Sequence, residues 1–190
     1  LWRVPKRFEA ALHAHGPSEI GTFWSGDDGE TWQTGMVIPS TEDMPSPNET
    51  EIAELADGRI YLNTRLGGTM LRRGRAWSAD GHSDWKDYGT DEALADPRCF
   101  GSTVSFHAPD GRDWLFFANC ESESGRKNVT LKGSLDGGLT WCYRQVLDAE
   151  QGGYVELAAD PWRGRLYVLY EELGGTALHF VTVDSGELTV

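Results

Sequence analysis

The sequence predicts an all-β protein assembled from repeated sheet units. Three observations carry this. Short strand-like runs alternate with turn clusters, helical signals are weak, and one eight-residue pattern recurs at near-constant spacing. The runs include Arg59–Thr64 (RIYLNT), Trp114–Ala118 (WLFFA), Arg165–Tyr170 (RLYVLY) and Leu178–Val183 (LHFVTV). Turns such as Asp57-Gly58 and Asp110-Gly111 separate adjacent runs. The 23 glycines, with 8 Trp, 6 Tyr and 7 Phe, suit short strands and tight turns. Only Lys6–His15 (KRFEAALHAH) offers a short helix, and Gly16-Pro17 would stop it.

The recurring pattern begins at Ser25, Ser78 and Ser134, at intervals of 53 and 56 residues. Ser25–Trp32 reads SGDDGETW and Ser134–Trp141 reads SLDGGLTW, while Ser78–Trp85 (SADGHSDW) is a degraded copy. Each copy follows a strand-like run, and the first and last also precede one. Glycine allows positive φ in the turn, Ser and Asp side chains bond turn amides, and Trp anchors the packing. The motif is therefore structural punctuation. A calcium loop is a weaker reading, because no D-x-[DN]-x-[DN]-G loop with its distant Glu is present.

Composition narrows the function classes. Seventeen basic against 30 acidic residues give a net charge of −13, which argues against nucleic acid or an anionic membrane as partner. A chain of 190 residues buries roughly 70% of its unfolded surface, so it needs no disulfide scaffold. The three cysteines, Cys99, Cys120 and Cys142, form no disulfide framework and no CxxC pair. No apolar run approaches the ~18 residues of a membrane span. The opening LWRVPKRF reads as neither a signal peptide nor a domain start.

The pattern S-x-D-x-G-x-T-W resembles the Asp box of sialidases and related β-propellers. The resemblance implies a six-bladed propeller. At ~50 residues per four-stranded blade, residues 1–190 supply just under four blades. They are expected to be one propeller region, its later part, with the early blades absent. Arg3-Val4-Pro5 echoes the family's early Arg-Ile-Pro, but the first Asp box follows too soon for a first blade.

Three further segments resemble sialidases in order. Asn48–Arg65 (NETEIAELADGRIYLNTR) matches the segment in which an acidic residue opens a strand and N-x-R ends the next. By that match Glu49 is the catalytic glutamate and Arg65 a substrate-carboxylate arginine. Glu51 competes with Glu49, because alternate strand residues share a face. Arg126–Trp141 (RKNVTLKGSLDGGLTW) matches an arginine, a strand and an Asp box, which makes Arg126 a second carboxylate-binding arginine, with Lys127 an ordinary exposed base beside it. Gly152–Glu171 (GGYVELAADPWRGRLYVLYE) matches a tyrosine opening one strand and L-Y-E closing the next. Tyr154 then corresponds to the nucleophile and Glu171 to the glutamate that orients another arginine. The family usually has a small residue after this tyrosine, where this chain has Val155. Asp96–Ser102 (DPRCFGS) and Arg73–Ser78 (RGRAWS) echo other family strands.

These groups suit sialic acid, whose anomeric carbon bears a carboxylate. A carboxylate nucleophile ~4 Å away would meet repulsion of about 4 kcal/mol at an effective dielectric of about 20. A neutral phenol avoids this, and sialidases are exceptions among glycosidases in using tyrosine. A phenol of pKa about 10 needs a base, the part implied for Glu49. Arginines grip a carboxylate through paired, planar hydrogen bonds that Lys does not reproduce. The family's third arginine and its leaving-group aspartate belong to early blades.

The expectation is therefore an exo-sialidase that acts with retention on sialylated glycans and uses no cofactor or metal. A secreted or cell-surface location follows from the resemblance alone, and nothing bears on oligomeric state. Two other readings remain. A non-catalytic Asp-box propeller that binds glycan or protein has no need for Tyr154, Glu49, Arg65 and Arg126 to converge. A glycosidase of other specificity predicts no arginine cluster. His13 and His15 share a face if their segment is extended, but two ligands make no metal site. Asn48-Glu49-Thr50 and Asn128-Val129-Thr130 fit the glycosylation triplet, a frequent chance match.

Overall fold

The computed structural model describes residues 16–188 and the backbone of the two-residue strand Trp2–Arg3. The candidate helix Lys6–His15 and the His13/His15 pair lie outside the described residues. Four antiparallel sheets follow one another along the chain. The first contains β1 (Trp2–Arg3), β2 (Glu19–Trp24) and β3 (Gln33–Ile38). The second contains β4 (Thr50–Glu54), β5 (Ile60–Arg65), β6 (Arg72–Ser78) and β7 (Lys86–Ala95). The third contains β8 (Ser102–His107), β9 (Asp113–Cys120), β10 (Val129–Ser134) and β11 (Tyr143–Asp148). The fourth contains β12 (Val155–Asp160), β13 (Arg165–Glu171) and β14 (Leu178–Asp184).

Every sheet is a simple meander, so each is a propeller blade. The strands expected from sequence are all present, shifted by a residue or two at their ends, where pairing rather than composition sets the boundary. Asp57-Gly58 and Asp110-Gly111 make the expected turns, with φ of +83° at Gly58 and +85° at Gly111. Among the described residues the helical content is one 3-10 turn, Ser185–Glu187.

Neighbouring blades share apolar layers. Ile20 and Ile38 of the first pack with Leu62, Ala76 and Trp85 of the second. Tyr61 and Trp77 of the second pack with Leu115 of the third. Phe116, Leu131 and Tyr143 of the third pack with Leu157, Val168 and Val183 of the fourth. Polar contacts join the first strands of successive blades. The Thr103 N–H donates to Glu51 Oε2 at 2.8 Å, and Ser102 Oγ donates to Glu156 Oε1 at 3.0 Å. Thus β4, β8 and β12 stand side by side, as the inner strands of a propeller do.

The Asp boxes brace this arrangement. In the third blade Ser134 Oγ donates to Asp136 Oδ1 (2.8 Å) and accepts the Gly138 N–H (2.9 Å), while Asp136 accepts the Thr140 N–H and hydroxyl (2.8 and 2.6 Å). Ser25, Asp27, Gly29 and Thr31 repeat these bonds. The degraded copy keeps the turn because Ser83 takes the threonine's part, its N–H reaching Asp80 Oδ1 at 2.7 Å. Unlike the expectation from sequence, this copy too is followed directly by a strand, β7.

Each later box also docks on the blade before it. Trp77 Nε1 donates to the Gly137 carbonyl (2.9 Å) and Arg75 to that of Gly138 (3.1 Å). A Cβ on Gly138, whose φ is +90°, would stand 2.8 Å from the Tyr61 ring. The tryptophans follow this docking. Trp85 is buried and Trp141 lies edge-on to Tyr61, whereas Trp32 is 60% exposed and touches Phe23 of its own blade. Trp85 and Trp141 thus anchor on the blade before their own.

Candidate active site

Five of the sequence-predicted residues lie at one end of the strands. Glu49 immediately precedes β4 and Arg65 ends β5. The ladder continues past both, with Arg65 N–H donating to Glu49 O and Asn48 N–H to Arg65 O, each at 3.0 Å. Arg126 lies in the β9–β10 loop. Tyr154 immediately precedes β12 and Glu171 ends β13, joined by a 3.0 Å bond from Glu171 N–H to Tyr154 O.

The fold closes a gap of 105 residues, so that the Tyr154 hydroxyl donates to Glu49 Oε1. The other Glu49 oxygen accepts from Arg65 Nη1 at 2.8 Å, and both of those side chains are 13% exposed. Arg65 Nε is buried and makes no hydrogen bond among the described residues. The Arg126 guanidinium lies 5.4 Å from the centre of the Tyr154 ring, and Phe100 flanks that ring at 5.4 Å. Lys127 is exposed, as expected of an ordinary loop base.

Glu51, the competitor, is drawn aside to the Thr103 amide of the neighbouring inner strand. Burial there raises its pKa, with the Glu156 charge adding to the effect. Glu171 accepts the Tyr154 N–H at 3.1 Å and pairs with no arginine among the described residues. Val155, the departure from the family pattern, points into the core, which leaves Tyr154 free to reach Glu49.

Sequence reasoning missed several supports. Asn48 is buried, accepts the Glu49 N–H (2.8 Å) and donates to Ser46 O (2.9 Å), so the Asn48 glycosylation triplet is closed to modification. The free thiols of Cys99 and Cys120 are buried and both donate to the carbonyl of Gly153, at 3.2 and 3.4 Å. They fix the peptide just before Tyr154. The signal for Phe100 and Cys99 was the DPRCFGS echo, but only contact across blades shows what they support.

Burial pushes the Tyr154 pKa up to about 12, and the Glu49 carboxylate adds to this by holding the phenolic proton. The phenol is therefore neutral at physiological pH. Because the folded value lies above the ordinary value of about 10, its stabilisation is complete below pH ~10 and is lost as pH rises through about 12. Glu49→Gln is expected to lower the Tyr154 pKa while leaving the burial contribution in place. Tyrosinate absorbance at high pH, with Tyr154→Phe subtracted, checks this. An unchanged or higher value would contradict the contact.

A cleft of about 460 Å³ opens beside the cluster, lined by Ser46, Asn48, Arg65 and Arg126 among others. A larger groove of about 640 Å³ lies at the opposite strand ends, near Asp57, His107 and Asp136, and holds no member of the cluster. Among the described residues no group of three or more His, Cys, Asp or Glu side chains is arranged to hold a metal.

The BNR repeat-like domain family matches residues 5–171. A sialidase of Micromonospora viridifaciens is 30% identical over 178 residues, which is 91% of this chain and 26% of that protein. The chain belongs to the sialidase family of Asp-box propellers. A Bacteroides fragilis sialidase is 32% identical over 138 residues, covering 70% of the chain and 24% of the relative. Among solved structures, a Hadza microbial sialidase superposes with a TM-score of 0.74 at 26% identity, over 90% of this chain and 33% of that one. Trypanosoma rangeli sialidase shares the fold with a TM-score of 0.62 at 20% identity, over 87% and 27%. This sialidase-family chain thus spans about a quarter of the length of these curated relatives.

Proposed function

We propose that this chain carries the nucleophile, base and carboxylate-binding arginines of a retaining exo-sialidase that removes terminal sialic acid from glycoconjugates. The observation that carries the reading is the hydrogen bond from the Tyr154 hydroxyl to Glu49. It joins a neutral nucleophile to a base, beside two arginines, in an acidic protein. Arg65 and Arg126 grip the substrate carboxylate. Tyr154 Oη attacks the anomeric carbon, and its proton passes to Glu49 as the glycosidic bond breaks. The leaving oxygen takes a proton from an acid outside the cluster. Water then attacks the anomeric carbon of the glycosyl-tyrosine and gives its proton to the conjugate base of that acid, while the sugar–Tyr154 bond breaks and the proton held by Glu49 returns to the phenol oxygen. Arg65 keeps Glu49 aligned, Glu171 and the two thiols hold the Tyr154 backbone, and no cofactor is required.

The test follows the first product of the intact protein acting on a sialoside, by proton NMR. Two successive inversions release the α anomer first, with the β anomer growing in later by mutarotation. First release of the β anomer would overturn the covalent route. Binding without release would favour a non-catalytic propeller.

A further inference from the structure

Ion pairing separates two arginines from the rest. Eleven arginines lie between residues 16 and 188, and nine of them pair with Asp or Glu. Arg98 and Arg126 pair with no Asp or Glu among the described residues, although acidic residues outnumber basic ones 30 to 17. Both line the same cleft, which they share with Arg65 and which has no acidic lining residue among the described ones. An unpaired guanidinium in so acidic a chain marks a place kept for an anion from outside. Arg126 is accounted for by its position over Tyr154. Arg98 is not, and it has no contact with Tyr154.

Arg98 is also held deliberately. Its φ is +63°, a conformation that non-glycine residues adopt where the surroundings over-determine it. The surroundings do so here. Asp96 Oδ1 accepts the Cys99 N–H (2.8 Å), and buried Arg73 donates both to Asp96 Oδ2 (2.6 Å) and to Cys99 O (2.8 Å). The loop on both sides of Arg98 is thereby fixed. Arg98 Nη1 donates to Gly68 O at 2.8 Å, while Nε and Nη2 make no hydrogen bond among the described residues. The side chain is exposed at the mouth of the cleft.

We propose that Arg98 binds a second anionic group of the substrate, beyond the carboxylate taken by Arg65 and Arg126. It biases the site toward sialosides that carry a further carboxylate or sulfate on the sugar next to the terminal one. This rests on the sialidase reading above. Arg98 bonds Gly68 O at the cleft mouth, whereas Arg65 bonds Glu49 and Arg126 lies over Tyr154, so its position suits a different anion from the one those two take.

The test measures kcat/KM of the intact protein and of Arg98→Ala on three substrates. One is a sialoside with an uncharged aglycone, one bears a sulfate ester on the adjacent sugar, and one is an α2,8-linked disialoside. The wild type is expected to favour at least one of the doubly charged substrates by about tenfold, the scale of one charge-assisted hydrogen bond. Arg98→Ala should remove that advantage while leaving the uncharged-aglycone substrate within about twofold, and Arg98→Lys should restore part of it. Loss with the sulfated or the disialylated substrate names the source of the anion. An equal fall on all three substrates would overturn the inference, as would a wild type without preference. Failure to hydrolyse any of the three is a different result. It removes the sialidase reading and this inference with it.

Discussion

Tyr154→Phe is expected to lower kcat by roughly 10³-fold or more while KM changes little, because it removes an attacking group and leaves Arg65 and Arg126 to bind the carboxylate. The structural basis is specific. The hydroxyl that is deleted is the one bonded to Glu49, and the ring that remains still fits between Phe100 and Arg126. A mechanism-based fluorosugar should label the intact protein on the peptide containing Tyr154, read by mass spectrometry. Tyr154→Phe should abolish the label, and Glu49→Gln should slow labelling without moving it, since the base is lost but the nucleophile stays. A label on Glu49 or Glu51 would remove the tyrosine assignment. Full activity in Tyr154→Phe would show that Val155 reports a real departure from the family's chemistry.

The second large effect concerns stability. Arg73 and Asp96 form an ion pair whose side chains are 0% and 1% exposed. Asp96→Ala leaves the Arg73 charge buried without its counter-charge, which is expected to destabilise the fold by about 3–5 kcal/mol. Against a typical stability of 5–15 kcal/mol that is a large fraction. The double variant Arg73→Met, Asp96→Leu removes both charges and should recover most of the loss, because an apolar pair has no charge to desolvate. Urea unfolding midpoints of the two variants of the intact protein decide the matter. Equal destabilisation in single and double variants would show that the hydrogen bonds these side chains make to the Cys99 peptide and to Asn63, and not charge pairing, are what matter.

The fold was legible because its signal is local and repeated. A Ser, an Asp, a Gly and a Thr at every second position of a short stretch satisfy one another's hydrogen bonds within a single turn, so the Asp box reads the same in sequence as in space. Strand runs such as Arg165–Tyr170 were legible for a similar reason, since β-branched and aromatic residues bounded by Asp and Gly mark a strand without reference to its partners. The family resemblance favoured Glu49, but the residues by themselves left Glu51 as a competitor. The two lie two residues apart at the opening of one strand, and only the neighbours supplied by other blades distinguish them. Thr103 takes Glu51, and Tyr154 takes Glu49.

The sequence by itself determined the blade repeat, the strand and turn pattern, and the order in which Glu49, Arg65, Arg126, Tyr154 and Glu171 occur. Each of these depends on interactions within a few residues or on residue identity alone. Tertiary structure alone decided that Tyr154 meets Glu49 across 105 residues, that two thiols hold Gly153, and that Arg98 stands at the mouth of the cleft with no acidic partner among the described residues. The physical reason is the same in all three cases. They are contacts or absences between blades, and a side chain's partner there is set by how successive sheets pack around the axis, which no local pattern of residues encodes.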